Sequence, residues 1–368
     1  MAAINSGSVL LSKAVLKSES TFGTSPSFTS GGRRLNINPT GYITTGVTVD
    51  DQSDRSVGLL VRGIGSRATI TAKMPTISLS SPALSVNELA IYMSGVENVS
   101  PVSVGTAGTA ALGIAGTASV WDFTFGTAFL AGNVAPKSFS LVATGGNGNP
   151  GVEQYLLNYV LPTKISIKVA DGLTTASVDA FGQTLAKNTT VLADTLPTDV
   201  VNMAGRLWKA YYYTSAANFQ ADVTTAASTA AISGGSAFSY VEDWGLDLET
   251  PNKPLAYLAG TVSFTGHSSL ANALNGSVSL TVSGGTDAIA QIYDAFNAAT
   301  PTYWRFNWND GSRIVDFLAC LIFTDVQPLA SDKDGVTNIT ATGIMVYDTT
   351  AASAGRIRVI SDTLSVLP

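Results

Sequence analysis

The chain has 368 residues; 45% are hydrophobic but only 12% are charged, about half the ~25% usual in soluble domains. Twenty-six acidic against 20 basic residues leave a formal net charge of −6, and the only basic doublet is Arg33-Arg34, which argues against sequence-specific nucleic-acid binding, since that needs clustered cations. One Cys and one His exclude an internal disulfide framework and Cys/His zinc sites, and no apolar run reaches the ~18–20 residues of a membrane-spanning helix.

Lys13 and Lys17 interrupt the weakly apolar N-terminal stretch, so no cleaved signal peptide is expected and synthesis is expected in the cytosol. Residues 1–45 are rich in Ser, Thr and Gly and read as an extended arm with at most one strand, Val9 to Leu16. Between 54 and 80, Val57, Leu59 and Val61, then Ala68, Ile70 and Ala72, alternate about a turn at Gly63-Ile64-Gly65-Ser66; this is a hairpin pattern. Ser85-Val86-Asn87-Glu88 is a capping box, and Val86, Leu89, Ala90 and Met93 form one helical stripe that stops at Gly95.

Residues 97–135 read as a long insertion, part loop and part short strand, with Trp121, Phe123, Phe125 and Phe129 at its end. Loops of this length are seldom passive in compact domains, so an intersubunit contact is expected there. Strands follow at Ser138–Ala143, Tyr155–Leu161, Lys164–Val169 and Ala176–Phe181. Residues 187–235 read as a connector around a dense stretch with Trp208, Tyr211, Tyr212 and Tyr213. Those aromatics could stack bases, but only Arg206 and Lys209 accompany them, which favours strand packing or an interface. Further strands are expected at Ala237–Leu248, Leu255–Phe264, Ser277–Val282, Tyr303–Trp308, Ile314–Thr324, Ile339–Tyr347 and Ile357–Leu367. Thr286-Asp287 is expected to cap a second helix with the stripe Ile289, Ile292, Tyr293 and Phe296.

One phrase occurs twice. Asp171-Gly172-Leu173-Thr174 leads to Ala180-Phe181-Gly182, and Asp334-Gly335-Val336-Thr337 leads to Ala341-Thr342-Gly343. Strand Ala68–Met74 pairs with Ser277–Val282 in this comparison, helix 85–95 with 286–298, and the turn at Gly145-Gly146 with that at Asp310-Gly311. A generic Asp-Gly turn proves little alone, but the matches fall in one order, the mark of an internal repeat. The fold class expected is mainly β: two tandem β-sandwich or barrel units, each flanked by one α-helix. The expected division is an arm 1–45, a first unit 46–186 holding the insertion 97–135, a connector 187–235 and a second unit 236–368.

The opening Glu19-Ser20-Thr21-Phe22-Gly23-Thr24-Ser25-Pro26, leading into a strand, resembles the N-terminal arm of tail tube proteins of long-tailed bacteriophages. The strand Gly276 to Val282, the helix 286–298, the aromatic strand 303–308 and its Asp-Gly turn resemble their tube domain. The likeness covers most of 8–100 and 275–348, and is one of layout and short phrases. It implies a structural virion protein of the tail, assembled in the host cytoplasm, with copies of itself and other tail proteins as partners. Genomic DNA would pass through the lumen without specific binding, and no membrane would be involved. With two units per chain, three chains would close a pseudo-hexameric ring, a ring of six chains being the alternative; rings would stack into a tube. The insertion and the connector have no place in a minimal tube domain.

No catalytic, cofactor-binding or metal-binding residue is assigned. Cys320 lies in an apolar run and reads as a buried small hydrophobe; His267 lies in a turn-like stretch with no nucleophile elbow near it. Asp243, Asp247 and Glu249 share one strand face by their spacing and read as a solvated edge rather than a hydrolase pair. The alternative function is a carbohydrate- or receptor-binding β-sandwich, such as a tail adhesin or another virion or surface shell component, for which aromatics at 121–129 and 208–213 would serve.

Overall fold

A computed structural model describes residues 11–37, 42–51, 68–97, 99–105, 114, 116–125, 135–145, 150–151, 153–192, 197–224, 234–255, 261–268, 274–283, 285, 289–333 and 336–368. Over these residues the protein is mainly β. In chain order it forms β1 (Leu11–Ser18), β2 (Arg33–Arg34), β3 (Tyr42–Thr44), β4 (Val47–Asp51), β5 (Ala68–Lys73), β6 (Thr76–Ser81), helix α1 (Val86–Ser94), β7 (Val102–Val104), β8 (Ala118–Phe125), β9 (Phe139–Gly145), β10 (Gln154–Val169), β11 (Thr175–Phe181) and β12 (Thr184–Lys187). There follow a 3-10 turn (Gly205–Leu207), β13 (Trp208–Tyr213), helix α2 (Ala216–Thr224), β14 (Ser236–Phe238), β15 (Val241–Glu249), β16 (Lys253–Leu255), β17 (Gly266–Ser268) and β18 (Asn275–Ser283). Helix α3, a π-helical turn Ile289–Asp294 running into Ala295–Asn297, precedes β19 (Thr302–Asn309), β20 (Ile314–Lys333), β21 (Val336–Met345) and β22 (Gly355–Ser361).

Most strands belong to one large antiparallel sheet that branches at β10 and β20. The first part of β10 pairs with β9 and β12, and its last residues pair with β11 and β15. Likewise β20 pairs first with β19 and β22, then with β21. The result is a central run, β3-β6-β11-β10-β15-β18-β21-β20, and two outer runs, β2-β1-β9-β10-β12 and β14-β13-β19-β20-β22-β8-β7. The pairs β4–β5 and β16–β17 stand outside it.

Alternation explains the layering. In β18, Val278, Leu280 and Val282 are buried while Asn275 and Ser279 are exposed; successive side chains of a strand take opposite faces. The buried faces of all three runs join one core: Leu16, Leu141 and Leu157 from the first outer run, Ile77, Val178, Leu246 and Leu280 from the central run, and Trp304, Phe306 and Phe317 from the second. Trp244 of β15 stacks on Phe306 and Phe317 across the layers, with ring centroids 4.4 and 5.7 Å apart.

Several elements differ from the sequence reading. The segment taken for an arm enters the body as β1, the middle strand between β2 and β9, with Ala14, Val15 and Leu16 buried. β5 pairs with Val47–Asp51; the hairpin partner expected at Val57–Val61 and the turn 63–66 lie outside the described residues. Tyr155–Leu161 and Lys164–Val169 are one strand, kinked where the register shifts between Pro162 and Lys164. The connector supplies β13 to the second outer run, β12 and α2 had no sequence signal that was read, and the described part of the insertion supplies β7 and β8.

Helix α1 begins with the capping box: the Ser85 side chain accepts from the Glu88 N–H, and the Glu88 carboxylate accepts from the Ser85 N–H. It is not amphipathic in place, because every residue from Val86 to Ser94 is buried, Asn87 and Glu88 included. Such a helix lies in an interior. Gly95 caps it in right-handed geometry, so glycine is needed here for space: a Cβ would stand 2.6 Å from the Pro162 ring. Burial raises the Glu88 carboxyl above the usual carboxylate range, against the opposing N–H bonds of Asn36 and Ser85 and the charge of Arg33.

Glu19 closes the first half. It is buried, and its carboxylate accepts from Gly23 N–H at 2.8 Å, Ser138 Oγ at 2.7 Å, Ser140 Oγ at 2.7 Å and Tyr159 N–H at 2.8 Å. Tyr159 sits at φ 55°, a left-handed conformation where β10 leaves the outer run, which non-glycine residues adopt at a cost. The Glu19 bond holds that turn. Glu19→Ala, which orphans these donors, is expected to lower unfolding free energy by about 3 kcal/mol or more, read as a fall in the urea midpoint with unchanged slope.

Candidate functional site

The feature with the clearest capacity to act is the solvent side of the central run, together with its two ends. Its strands turn Ile, Val and Leu inward and short polar side chains outward, such as Thr76 and Ser78 of β6, Ser177 of β11, Ser279 of β18 and Thr342 of β21. Charge is concentrated at the middle. β15 presents Asp243, Asp247 and Glu249 on this side, in the spacing expected, and β10 answers with Lys164 and Lys168. Lys164 stands opposite Asp179 on one neighbour and Glu249 on the other, with its Nζ 3.6 Å from Asp247 Oδ1. These exposed pairs contribute little to stability; Asp247 and Glu249 sit against Lys164, and Asp243 stands opposite Thr281.

Among the described residues, the two ends of the run have no further strand beside them. Beyond Leu321, β20 pairs only with β21 among the described residues, and β3 pairs only with β6. Leu329, on the open part of β20, is 81% exposed. Unpaired edges template pairing with another chain unless they are covered or blocked.

The repeated phrases sit at equivalent turns of different length. The first lies between the paired residues Lys168 and Thr175 and is tied down: Gly205 N–H donates to the Gly172 carbonyl at 2.6 Å, Thr174 N–H to the Met203 carbonyl at 2.8 Å, and Arg206 pairs with Asp171. Gly205 must be glycine, as a Cβ would lie 1.6 Å from the Ala170 carbonyl oxygen. In the second, Lys333 pairs directly with Val336; Asp334 and Gly335 lie outside the described residues.

Cys320 is fully buried, and burial first, then the nearby Asp348, pushes its thiol up to about 12, which removes thiolate reactivity. His267 of β17 lies 2.8 Å from the Tyr159 hydroxyl through Nδ1, with Phe22 4.9 Å away, and burial lowers its pKa. It packs in an aromatic cluster at the foot of β10. Trp121, Phe123 and Phe125 are core residues on β8, Tyr213 is buried, and Trp208 donates to Thr174 Oγ1 at 2.9 Å; Phe129 lies outside the described residues. Among the described residues no group of three or more His, Cys, Asp or Glu could hold a metal ion.

Sequence reading missed a buried ionic network on the outward face of the second outer run. Arg305 holds Asp316 in a two-pronged bond at 3.1 and 2.8 Å and reaches Asp222 of α2 at 3.2 Å; Asp222 also accepts from the Tyr213 hydroxyl at 2.5 Å. Arg356 and Arg358 face Asp122 of β8. Burial works against the Arg305 charge, but Asp316 outweighs it and holds the guanidinium protonated. The network pins α2 and β8 to the sheet. No protein-family model matches this chain, and no curated protein matches it.

Arg305→Met, which removes the cation hydrogen-bonded to the buried Asp316 and Asp222, is expected to cost about 3–5 kcal/mol, measured by chemical denaturation. Glu97, just past α1, gives a pH test. Burial, against one bond from the Thr124 N–H, raises its pKa to about 7. The folded state therefore keeps a proton that the unfolded chain sheds near pH 4.5. Its stabilising effect is complete below that value and is lost as pH rises through about 7. Glu97→Gln is expected to flatten this decline in a series of thermal melts from pH 5 to pH 8.

Proposed function

We propose that the protein is a tail tube protein of a long-tailed bacteriophage, a structural virion component without catalytic activity, whose copies close into rings that stack into a conduit for genomic DNA. One observation carries the reading: the strand order occurs twice. The outer order β2-β1-β9-β10-β12 recurs as β14-β13-β19-β20-β22, and the central order β3-β6-β11-β10 recurs as β15-β18-β21-β20. The side hairpins β4–β5 and β16–β17 fall at the same step, as do α1 and α3. This supports two tandem β-sandwich units, each flanked by a helix. The partner of β18 in the comparison is then β6 rather than Ala68–Met74. The first unit takes in β1, β2 and β3 from 1–45, and the second takes in β13 from 187–235.

Within the chain the units join through β10 and β15, from Lys164 opposite Glu249 to Val169 opposite Trp244. The strands in the same positions at the two ends are β20 and β3, the two open edges. Pairing β20 of one copy with β3 of the next repeats the internal junction, and a repeated rotation that closes gives a ring. Three copies would supply six units; six copies remain the alternative count. The hydroxyl-lined side of the central run would then face the lumen, where Asp179, Asp243, Asp247 and Glu249 outnumber Lys164 and Lys168. Such a surface repels rather than holds a phosphate backbone. Of the aromatics that would serve a glycan-binding reading, Trp121, Phe123, Phe125 and Tyr213 are spent on buried cores.

Negative-stain microscopy of concentrated protein is expected to show rings or tubes with pseudo-sixfold views, and a protein that stays monomeric under all conditions would overturn the reading. Leu329→Lys on the open edge is expected to raise the concentration needed for assembly at least tenfold while leaving the thermal midpoint unchanged.

A further inference from the structure

The helices of the two halves are buried very differently. All nine residues of α1 are covered, whereas in α3 only Ile292 is buried and Ile289 is 47% exposed. Part of the cover on α1 comes from the end of the second half, while Asp199, Val201 and Asn36 hold its first turn. Ser361, the last residue of β22, donates through Oγ to Asn87 Oδ1 at 2.7 Å, and Asn87 Nδ2 donates to Thr363 Oγ1 at 2.9 Å. Leu364 then buries its side chain in the core that holds α1, while its carbonyl accepts from Trp121 Nε1 at 3.0 Å.

In the strand order β12 stands where β22 stands. The residues after β12 lead to Val191, which is 72% exposed. A helix covered on one side and an exposed post-strand residue thus lie at opposite ends of the repeat, although the chain from Asp199 to Val201 does reach the first turn of α1. A groove of about 320 Å³ runs beside α3, lined by Ala290, Gln291, Asp294, Ala298 and Tyr303. Asp294 is exposed there, and Lys187 is exposed on β12, so the two surfaces are complementary in charge as well as in shape of demand.

We infer that the bare side of α3 is the seat for residues 184–192 of the next copy of this chain, with Val191 entering beside Ile289 as Leu364 does beside α1. The inference rests on the tube reading, and it adds a second contact, between helix and strand end, outside the paired edges of the central run.

The test is a pair of cysteines, Ile289→Cys with Val191→Cys, in the full chain; native Cys320 is buried and does not compete. Mild oxidation is expected to give a ladder of covalently linked chains on a non-reducing gel, absent from either single variant. Val191→Asp is expected to raise the concentration for particle formation at least tenfold, while Tyr240→Asp, an exposed aromatic elsewhere, leaves it unchanged. If ring-sized particles scatter light but the double variant gives no ladder, or Val191→Asp assembles normally, the seat is wrong and the tube reading stands. If the unaltered protein forms no particles at all, both fall together.

Discussion

A strand edge must have its N–H and C=O groups met, and in this protein two long strands carry that obligation from one layer to another. β10 leaves β9 and β12 and takes up β11 and β15; β20 leaves β19 and β22 and takes up β21. The change of partners needs a local break in each ladder. In β10 it is made by Tyr159 at φ 55° and the shift past Pro162, a residue without an N–H to lose. Glu19 accepts the Tyr159 N–H that the break leaves over. In β20 the register shifts after Phe323 and again after Gln327. Remove either passage and the outer layers no longer share strands with the central one.

Several of the few charged side chains are enclosed: Glu88 lies in a helix buried along its whole length, and Arg305, Asp316 and Asp222 lie beneath α2. Where a sheet face does meet water, Ser and Thr hydrate it. Thr is well suited to a pleated strand, and short hydroxyls leave the face smooth. That property suits a surface along which a long polyanion would slide, on the proposed reading, better than a lysine-rich or aromatic one.

Strands with clean alternation, such as Ser277–Val282 and Ala176–Phe181, were legible in the sequence, as was the capping box at Ser85, because their signals are local. Partners were not. The pairing of β5 with Val47–Asp51 has no local signal, because alternation within a strand does not name its partner. The total burial of α1 was invisible, since Asn87 and Glu88 read as a solvent face until Ser361, Thr363, Ser85 and Asn36 are seen to satisfy them. The Arg305 network is spread over distant strands, and no spacing announces it. On the two-unit reading, the repeated Asp-Gly phrase falls between β10 and β11 and between β20 and β21. Its value lay in position, as the first turn is longer and tied to Gly205.

The repeat is imperfect, and the imperfection bears on how an assembly would be held. β8, which arises between α1 and β9, pairs with β22 from Ser119 opposite Ser361 to Phe125 opposite Gly355. On the two-unit reading, it is a strand of the first unit built into the outer layer of the second. It ties the internal junction through Trp121, Phe123 and the Asp122–Arg356 pair. The short link from α3 to β19, Ala298 to Pro301, has no strand to offer a neighbour. The junction within the chain thus has three ties: paired central strands, a covered helix and a shared outer strand. A junction between copies could have only the first two. Such a ring would come apart at the borders between chains and not within them, which suits a subunit that must stay folded and soluble before it assembles.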